Sequence, residues 1–194
     1  FEGSSEIMRL FIAREALDPH LRIGAAVMNK QLSAGERAKA GARAAGFYAG
    51  WYPRQWFSLG NGITSDLHPT LMGHASYAAR TSHKLARSLF HAMARHGPRL
   101  EREQMLLGRM VDIGTELFAI AATCSYAQHK VTTDTHGEDA LSVADYFCRE
   151  ARRRIAHFFR DAGHNHDSRG YRLARDVLDG KYTWLEEGTI LQAD

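Results

Sequence analysis

The segment Met105–Cys124, with the sequence MLLGRMVDIGTELFAIAATC, decides the fold of this chain. Its apolar residues recur at the spacing of one face of an α-helix, which should extend from about Arg99 to Gln128. Charged residues also recur at helical spacing, so the helix should have a narrow polar edge and should not span a bilayer. A helix this apolar belongs in the middle of a bundle. The polar edge is Arg109, Asp112 and Glu116; the apolar face is Leu106, Met110, Ile113, Leu117, Ile120 and Cys124, widened by Leu107, Val111 and Phe118.

Helical patterns of the same kind lie on both sides of this segment. Pro69 suits the first turn of a helix that should end sharply at Gly97-Pro98, and further helices are predicted over 138–162 and 168–178. No strand pattern accompanies them. We therefore predict an all-α fold in which four antiparallel segments form a helical bundle. Its expected buried positions are Leu71, Ala75, Ala78, Ser82, Leu85, Leu89 and Met93, then Leu141, Ala144, Cys148, Ala151, Ile155 and Phe158, and finally Tyr171, Ala174, Val177 and Leu178.

The residues before the bundle also favour helix. A first helix is predicted over Ser5–Ala16, and Asp18-Pro19 indicates a restart, since Pro is tolerated best in a first turn. A short helix should follow over 20–31. Ser33 and Glu36 then have the spacing of a capping box that begins another helix. In the first helix, the residues that share one face are Ile7, Leu10, Phe11 and Arg14.

The segment that follows is basic and then aromatic, although the net charge of the whole chain is only +3. Two interpretations remain open. The cations could meet lipid headgroups with the rings at the membrane boundary, or the rings could pack on the body of the protein and leave the charges in water. The cations are Lys30, Arg37, Lys39, Arg43 and Arg54, and the rings are Phe47, Tyr48, Trp51, Tyr52, Trp56 and Phe57.

Other chemistry has weaker support. Cys124 and Cys148 lie in apolar helical stretches, so we interpret them as core residues of a protein in a reducing compartment. The run 164–167, His-Asn-His-Asp, lies in an expected turn and has no zinc-site spacing, so no metal site is predicted. The other histidines show no clustering with carboxylates or thiols. Arginine-rich helix faces carry interspersed acids and no recognition motif, which argues against nucleic-acid binding.

The first eleven residues have the pattern of a helix start. Glu2 stands beside Gly3, two serines follow, and the apolar helical pattern then begins. A serine oxygen can accept from backbone N–H groups that lack helical partners. The start of a helix also carries partial positive charge, which suits an anionic or phosphate-bearing ligand. By itself, the pattern indicates a capped helix preceded by an acid.

This stretch resembles the Tyr/Phe-Glu-Gly-Thr-Asn/Ser-Glu/Asp/Gln-Ile segment near the end of the acyl-CoA dehydrogenase catalytic domain, and Leu10–Glu15 resembles the helix that follows it. The resemblance implies that Glu2 is the base that removes the α-proton of an acyl thioester while flavin takes the β-hydride. It also implies contacts of Phe1 and Gly3 with the substrate. The resemblance assigns Ser4, Ser5 and Glu6 to flavin binding. Ser4 stands where the family usually has Thr.

The resemblance further implies the C-terminal portion of a very-long-chain enzyme. Residues 1–17 would be the tail of the catalytic domain, 18–68 a flexible, membrane-associating segment, and 69–194 the extra helical bundle. The full-length enzyme would hold FAD and pass electrons from long-chain acyl-CoA to an electron-transfer flavoprotein or a similar acceptor. We expect a homodimer in the bacterial cytoplasm or in mitochondria, peripheral to the inner membrane through 30–57. We expect the chain alone to be colourless and inactive.

The competing interpretation is non-enzymatic. The helical bundle would then be a docking, dimerisation or membrane-association module. The motif at Glu2 would only mark the edge of this module and would carry no chemistry of its own.

Overall fold

The computed structural model describes residues 4–29, 31–57, 66–133, 136–185 and 187. These residues form six α-helices and no strand, which confirms the all-α prediction. The helices are α1 (Ser5–Met28), α2 (Ala34–Arg54), α3 (Pro69–His96), α4 (Gln104–Thr133), α5 (Gly137–Gly163) and α6 (Asp167–Leu178), with short 3-10 turns at Gly97–Arg102 and Thr183–Leu185. The predicted turn at Gly60-Asn61-Gly62 lies outside the described residues.

Local capping explains where several helices begin and end. The side chain of Ser33 accepts from the N–H of Glu36, and the Glu36 carboxylate accepts from the N–H of Ser33, so the capping box is confirmed. The hydrogen bonds from Ser33 lower the pKa of Glu36. Pro69 begins α3, and Gly97 ends it with a φ of 53°, a backbone conformation that glycine adopts without strain. Helix α4 begins at Gln104, later than predicted, because the 3-10 turn precedes it.

Helix α1 runs without interruption through Pro19, so the predicted restart at Asp18 was wrong. A proline inside a helix removes one backbone hydrogen bond and costs about 3 kcal/mol. Contacts on both sides of Pro19 offset that cost. Leu17 is buried against the body of the protein, and His20 bonds to Tyr48 of α2. The predicted domain boundary at residue 17 therefore falls inside a continuous helix.

The main core lies between α3, α4 and α5. Most of the positions predicted from periodicity in α4 and α5 are buried there, but Phe118 is 75% exposed and its predicted burial was wrong. Phe118 lies on the same side of α4 as the buried Val111, but two turns further along, where the described residues leave it exposed. The buried residues are Leu71, Ala78, Met110, Ile113, Leu117, Ile120, Cys124, Ala127, Ala144, Cys148, Ala151 and Ile155.

The two cysteines confirm their predicted core role. Both thiols are buried and neither forms a disulfide. A hydrogen bond with Cys124, together with burial, raises the pKa of the Cys148 thiol. Since only a thiolate is a good nucleophile, Cys148 is a chemically inert core residue.

The chain divides into two compact units, Phe1–Ala162 and Gly163–Asp194. The second unit contains α6, as predicted for 168–178, and the turn Thr183–Leu185. The predicted burial of Val177 and Leu178 was wrong, since they are 49% and 86% exposed. The Asp176 carboxylate accepts hydrogen bonds from Lys181 and Tyr182, at 3.2 and 3.3 Å, and so holds the residues after α6 against that helix.

Candidate functional site

In the sequence, the predicted site residues Phe1 to Glu6 stand just before α1 and in its first turn. Phe1, Glu2 and Gly3, and the side chain of Glu6, lie outside the described part of the chain. The structure therefore describes the helix that follows the predicted base.

Two of the residues predicted to contact flavin are described, Ser4 and Ser5. The hydroxyl of Ser4 accepts from the N–H of Ile7 at 3.4 Å, as a helix cap does, and Ser5 is the first residue of α1. Both residues are exposed. Since the Ser4 oxygen only accepts in this contact, its own O–H can still donate to an external acceptor. The helix start also adds N–H donors and partial positive charge. This donor set fits the carbonyl and phosphate oxygens of a flavin nucleotide.

An ion pair ties the beginning of α1 to the central helix. The Nε atom of Arg9 donates to Oδ1 of Asp112 in α4 at 2.9 Å. The Arg9 and Asp112 side chains are 42% and 26% exposed, so water only partly screens the pair. The sequence placed Asp112 on the polar edge of α4 but gave no indication of its partner.

Apolar contacts continue this attachment along α1. Ala13 and Leu17 are buried together with Leu107 and Val111 of α4 and Leu100 of the 3-10 turn. Arg9, Ala13 and Leu17 follow one another at helical spacing, so this is the side of α1 that faces α4.

The face of α1 identified from the sequence is a different one. Ile7, Leu10 and Phe11 are between 38% and 53% exposed, and the described residues leave them uncovered. An apolar face of this size at a helix surface is typical of a site that contacts another part of a protein or a partner. The apolar pattern of α1 was recognised correctly, but Ala13 and Leu17, which pack it on α4, were missed.

The polar edge of α4 also reaches the neighbouring helix α5. Glu116 accepts two hydrogen bonds from Arg154, from Nε at 2.5 Å and from Nη2 at 2.9 Å. This contact raises the pKa of Arg154. Asp112 and Glu116 lie one turn apart on α4, so one edge of this helix is bonded to α1 and to α5.

Rings in α2 attach it to α1 and α3. Tyr48, Trp51 and Tyr52 pack around Phe90 of α3 with ring-centre distances of 4.9, 5.8 and 5.3 Å. The structure thus favours the packing interpretation for these three rings. The others, Phe47, Trp56 and Phe57, remain exposed.

Three histidines complete this attachment. His20 bonds to Tyr48 at 3.0 Å, His91 to Tyr52 at 2.8 Å, and His83 to Gln55 at 2.9 Å. Arg87 adds a bond to the Gln55 carbonyl and lies over the Trp56 ring. Helix α2 itself has no fully buried residue, so these contacts account for much of its attachment.

The pKa of His20 predicts how this attachment depends on pH. Burial lowers the pKa of His20 from its ordinary 6.5, so the unfolded chain takes up this proton at a higher pH than the folded chain. The stabilising contribution of His20 is therefore present above pH 6.5 and is lost as the pH falls below that value. We expect Tm to fall between pH 7.5 and pH 5.5, and His20→Gln to flatten part of that fall.

His164→Gln is the matched control, because His164 is exposed and lies in the second unit. If His20→Gln and His164→Gln gave the same pH dependence of Tm as the unaltered chain, His20 would not be the responsible group.

A polar network around the buried imidazole of His74 was missed from the sequence. Nε2 of His74 bonds to Oδ1 of Asp145 at 2.9 Å, and Arg149 bonds to the other Asp145 oxygen at 2.7 Å. On the opposite side of the imidazole, Arg152 approaches Nδ1 at 3.5 Å. Since an arginine only donates, we assign Nδ1 as the acceptor and the ring proton to Nε2. The hydrogen bonds from Arg149 and His74 lower the pKa of Asp145.

The prediction that the histidines do not cluster with carboxylates was therefore wrong for His74. Its partner Asp145 lies on another helix, 71 residues further along the chain, and no sequence spacing indicates such a pair. The role of the network is structural, because it satisfies the buried imidazole of His74.

A groove of about 510 Å³ lies between α3 and α4, away from the start of α1. Small residues line most of it, and it contains no acid–base pair. Its lining includes Ala75, Ala79, Ser82, Phe118, Ala121 and Ser125. In the described part of the chain, no three or more His, Cys, Asp or Glu residues are grouped to hold a metal ion. None of the described helices has both the length and the apolar character that crossing a membrane requires.

Comparisons with known proteins agree with these observations. The family model described as ACAD9/ACADV, C-terminal domain, matches residues 69–179. The probable acyl-CoA dehydrogenase FadE10 of Mycobacterium tuberculosis is 46% identical over 196 residues, covering 100% of this chain and 30% of that protein. No solved structure gave a significant match.

More distant relatives are mitochondrial. The very long-chain specific acyl-CoA dehydrogenase of Macaca fascicularis is 26% identical over 98% of this chain and 29% of its own length. The human enzyme of that name is 28% identical over 80% of this chain and 24% of its own length. The chain thus spans less than a third of the curated relatives it matches. Because the family model covers more than half of it, the chain belongs to the acyl-CoA dehydrogenase family, and residues 69–179 are the C-terminal domain of its very-long-chain type.

Proposed function

We propose that the complete protein is a flavin-dependent acyl-CoA dehydrogenase, which converts long-chain acyl-CoA to trans-2-enoyl-CoA in fatty acid β-oxidation. The observation that carries the proposal is the 46% identity to a probable acyl-CoA dehydrogenase over the whole of this chain. The activity belongs to the complete protein, since this chain corresponds to 30% of that relative. The test is oxidation of acyl-CoA by the complete protein with an artificial electron acceptor. A colourless complete protein without this activity would refute the proposal.

The residues before and within the first turn of α1 would carry the chemistry. Glu2 accepts the α-proton of the thioester, while Phe1 and Gly3 contact the acyl group. The hydroxyls of Ser4 and Ser5, with the N–H groups of the helix start and Glu6, bind flavin. Bound flavin supplies the acceptor for the β-hydride. The described cap at Ser4 supports this assignment, because it places hydroxyl and backbone donors together at an exposed helix start.

The rest of the complete enzyme would cover the exposed apolar face of α1. Ile7, Leu10 and Phe11 have no cover among the described residues, and the relatives are more than three times as long as this chain. Electrons would pass to an electron-transfer flavoprotein or a similar acceptor, and the enzyme would be a homodimer. Its location would be the cytoplasm of a bacterium or the mitochondrion of a eukaryote.

We also propose that α2 contacts an anionic membrane surface peripherally. Lys39, Arg43, Phe47 and Arg54 are exposed and recur at helical spacing on α2, whereas Tyr48 and Tyr52 pack on Phe90. Cations beside an exposed ring suit the headgroup region of a membrane.

Charge reversal tests this membrane contact. Each cation near an anionic surface contributes about 1 kcal/mol, so Lys39→Glu with Arg43→Glu should weaken binding to phosphatidylserine vesicles at least about tenfold. Binding to neutral vesicles should not change. Flotation of the protein with each vesicle type measures both effects.

The matched control reverses two exposed arginines elsewhere, Arg80→Glu with Arg169→Glu. Equal loss of binding in both double variants would assign the effect to net charge and would exclude α2 as a specific contact.

The second candidate function is a docking or dimerisation module without its own chemistry. The observation that favours it is the uncovered groove between α3 and α4, where Phe118 is exposed. Flavin absorbance and acyl-CoA turnover of the complete protein separate the two candidates, since a module alone predicts neither.

A further inference from the structure

The attachment of α1 to α4 joins two parts of the protein with different roles. Helix α1 follows the proposed base Glu2, and α4 is the central helix of the C-terminal domain matched by the family model. Arg9 and Asp112, which form the ion pair between them, are 103 residues apart in the sequence. The position of α1 is therefore coupled directly to a domain that supplies none of the proposed site residues.

The ion pair acts close to the beginning of α1. Arg9 is four residues after Ser5, the first residue of the helix, which corresponds to roughly 6 Å along the axis. The buried contacts of Ala13 and Leu17 lie further along the helix. Among the described contacts between α1 and α4, the Arg9–Asp112 pair is thus the one nearest to the predicted site.

The chemical character of the pair suits it to fixing orientation. Apolar contacts such as those of Ala13 and Leu17 are not directional, and a small rotation or shift of α1 would preserve much of their burial. A hydrogen bond from a planar guanidinium to a carboxylate depends on distance and direction. The neighbouring bonds between Glu116 and Arg154 hold the same edge of α4 against α5, so the helix that carries Asp112 is itself fixed in position.

We propose that Asp112 is a positioning residue for the dehydrogenation: through Arg9 it fixes the register of α1 and thereby the place of the Glu2 carboxylate. This inference rests on the proposed function, in which Glu2 is the base. Proton transfer requires hydrogen-bond reach to the substrate, and a misplacement of about 1 Å can cost up to 10²-fold in rate. The extra C-terminal domain thus contributes to turnover without touching the substrate.

The test compares two isosteric variants of the complete enzyme. Asp112→Asn removes the charge that holds Arg9, whereas Asp18→Asn removes the partner of Arg22 in a pair formed within α1 itself. We expect Asp112→Asn to lower kcat by about 5- to 50-fold, with KM changed by less than about twofold and flavin content unchanged. We expect Asp18→Asn to leave all three quantities unaltered.

Two further readouts separate positioning from general stability. Hydrogen exchange of residues 5–12 should be faster in Asp112→Asn, while exchange in α4 and α5 should not change. The reversed pair, Arg9→Asp with Asp112→Arg, should recover part of kcat, because it restores the attraction between the same two positions.

Several results would contradict the positioning role of Asp112. An unchanged kcat in Asp112→Asn overturns the inference, as does a loss of kcat that follows a loss of flavin or of Tm. A lower kcat with no recovery in the reversed pair also counts against it. The proposed role of Glu2 fails separately: turnover retained by Glu2→Gln would assign the base to another residue. If Glu2→Gln abolished turnover while Asp112→Asn turned over normally, Glu2 would remain the base and only the positioning role of Asp112 would be refuted.

Discussion

Glu2→Gln in the complete enzyme should abolish turnover and leave flavin bound. Glutamine has nearly the shape of glutamate, but its amide cannot accept the α-proton of the substrate. General base catalysis is typically responsible for about 10²- to 10⁴-fold in rate, so kcat should fall by at least that factor. The measurement is acyl-CoA oxidation under steady-state conditions, together with the flavin absorbance of the purified variant.

The control for this variant is Glu15→Gln, the same chemical change on the exposed surface of α1. It should turn over normally. Activity retained by Glu2→Gln would assign the base to another residue. A colourless Glu2→Gln protein would show instead that the substitution disturbs flavin binding, which contradicts the separate roles proposed for Glu2 and the serines.

Ile120→Ala should have the largest effect on stability. Ile120 is 0% exposed and lies in the main core of α4 with residues of the neighbouring helices. Removing a buried aliphatic side chain of this size costs about 2–5 kcal/mol, because the contacts are lost and the cavity closes only partly. For a protein of this length, that corresponds to a fall in Tm of roughly 5–15 °C. Thermal unfolding followed by circular dichroism measures it.

Phe118→Ala provides the matched control on the same helix. Phe118 is the larger residue and belongs to the same apolar pattern in the sequence, yet it is 75% exposed. Its replacement should change Tm of the chain by only a small fraction of the Ile120→Ala effect. Similar losses in the two variants would mean that Phe118 is covered in solution and that the groove beside it is filled.

Much of the fold was predictable because its signals are local. The capping box at Ser33 and Glu36, the proline at 69 and the glycine at 97 act through backbone groups within a few residues of themselves. The apolar periodicity of α4 and α5 likewise identified most of the buried positions. These features depend little on which helix packs against which.

The predictions that failed concern choices between local and distant contacts. Pro19 predicts a helix boundary, but Leu17 and His20 have partners on other helices that keep α1 continuous. Phe118 has the spacing of a core residue, but the contacts that bury Val111 on the same side of α4 do not extend to it. His74 reads as one of several scattered histidines, although Asp145 on another helix binds it. In each case the deciding partner is remote in sequence.

The candidate site shows the same division. The motif at Phe1–Glu6 and its role are inferred from the sequence, and the roles of Phe1, Glu2, Gly3 and Glu6 remain predictions. The structure adds the cap at Ser4 and the attachment of the helix behind it, neither of which the motif describes.

By itself, the sequence determined that this protein is helical, where most of its helices begin and end, and which side of α4 and α5 is apolar. These properties follow from backbone capping and from the 3.6-residue period of the helix. Only the tertiary structure decided that Arg9 pairs with Asp112, that Glu116 pairs with Arg154, and that α1 rests on α4 through Ala13 and Leu17. The reason is physical: a charged or small side chain can meet many partners, and packing of whole helices selects among them.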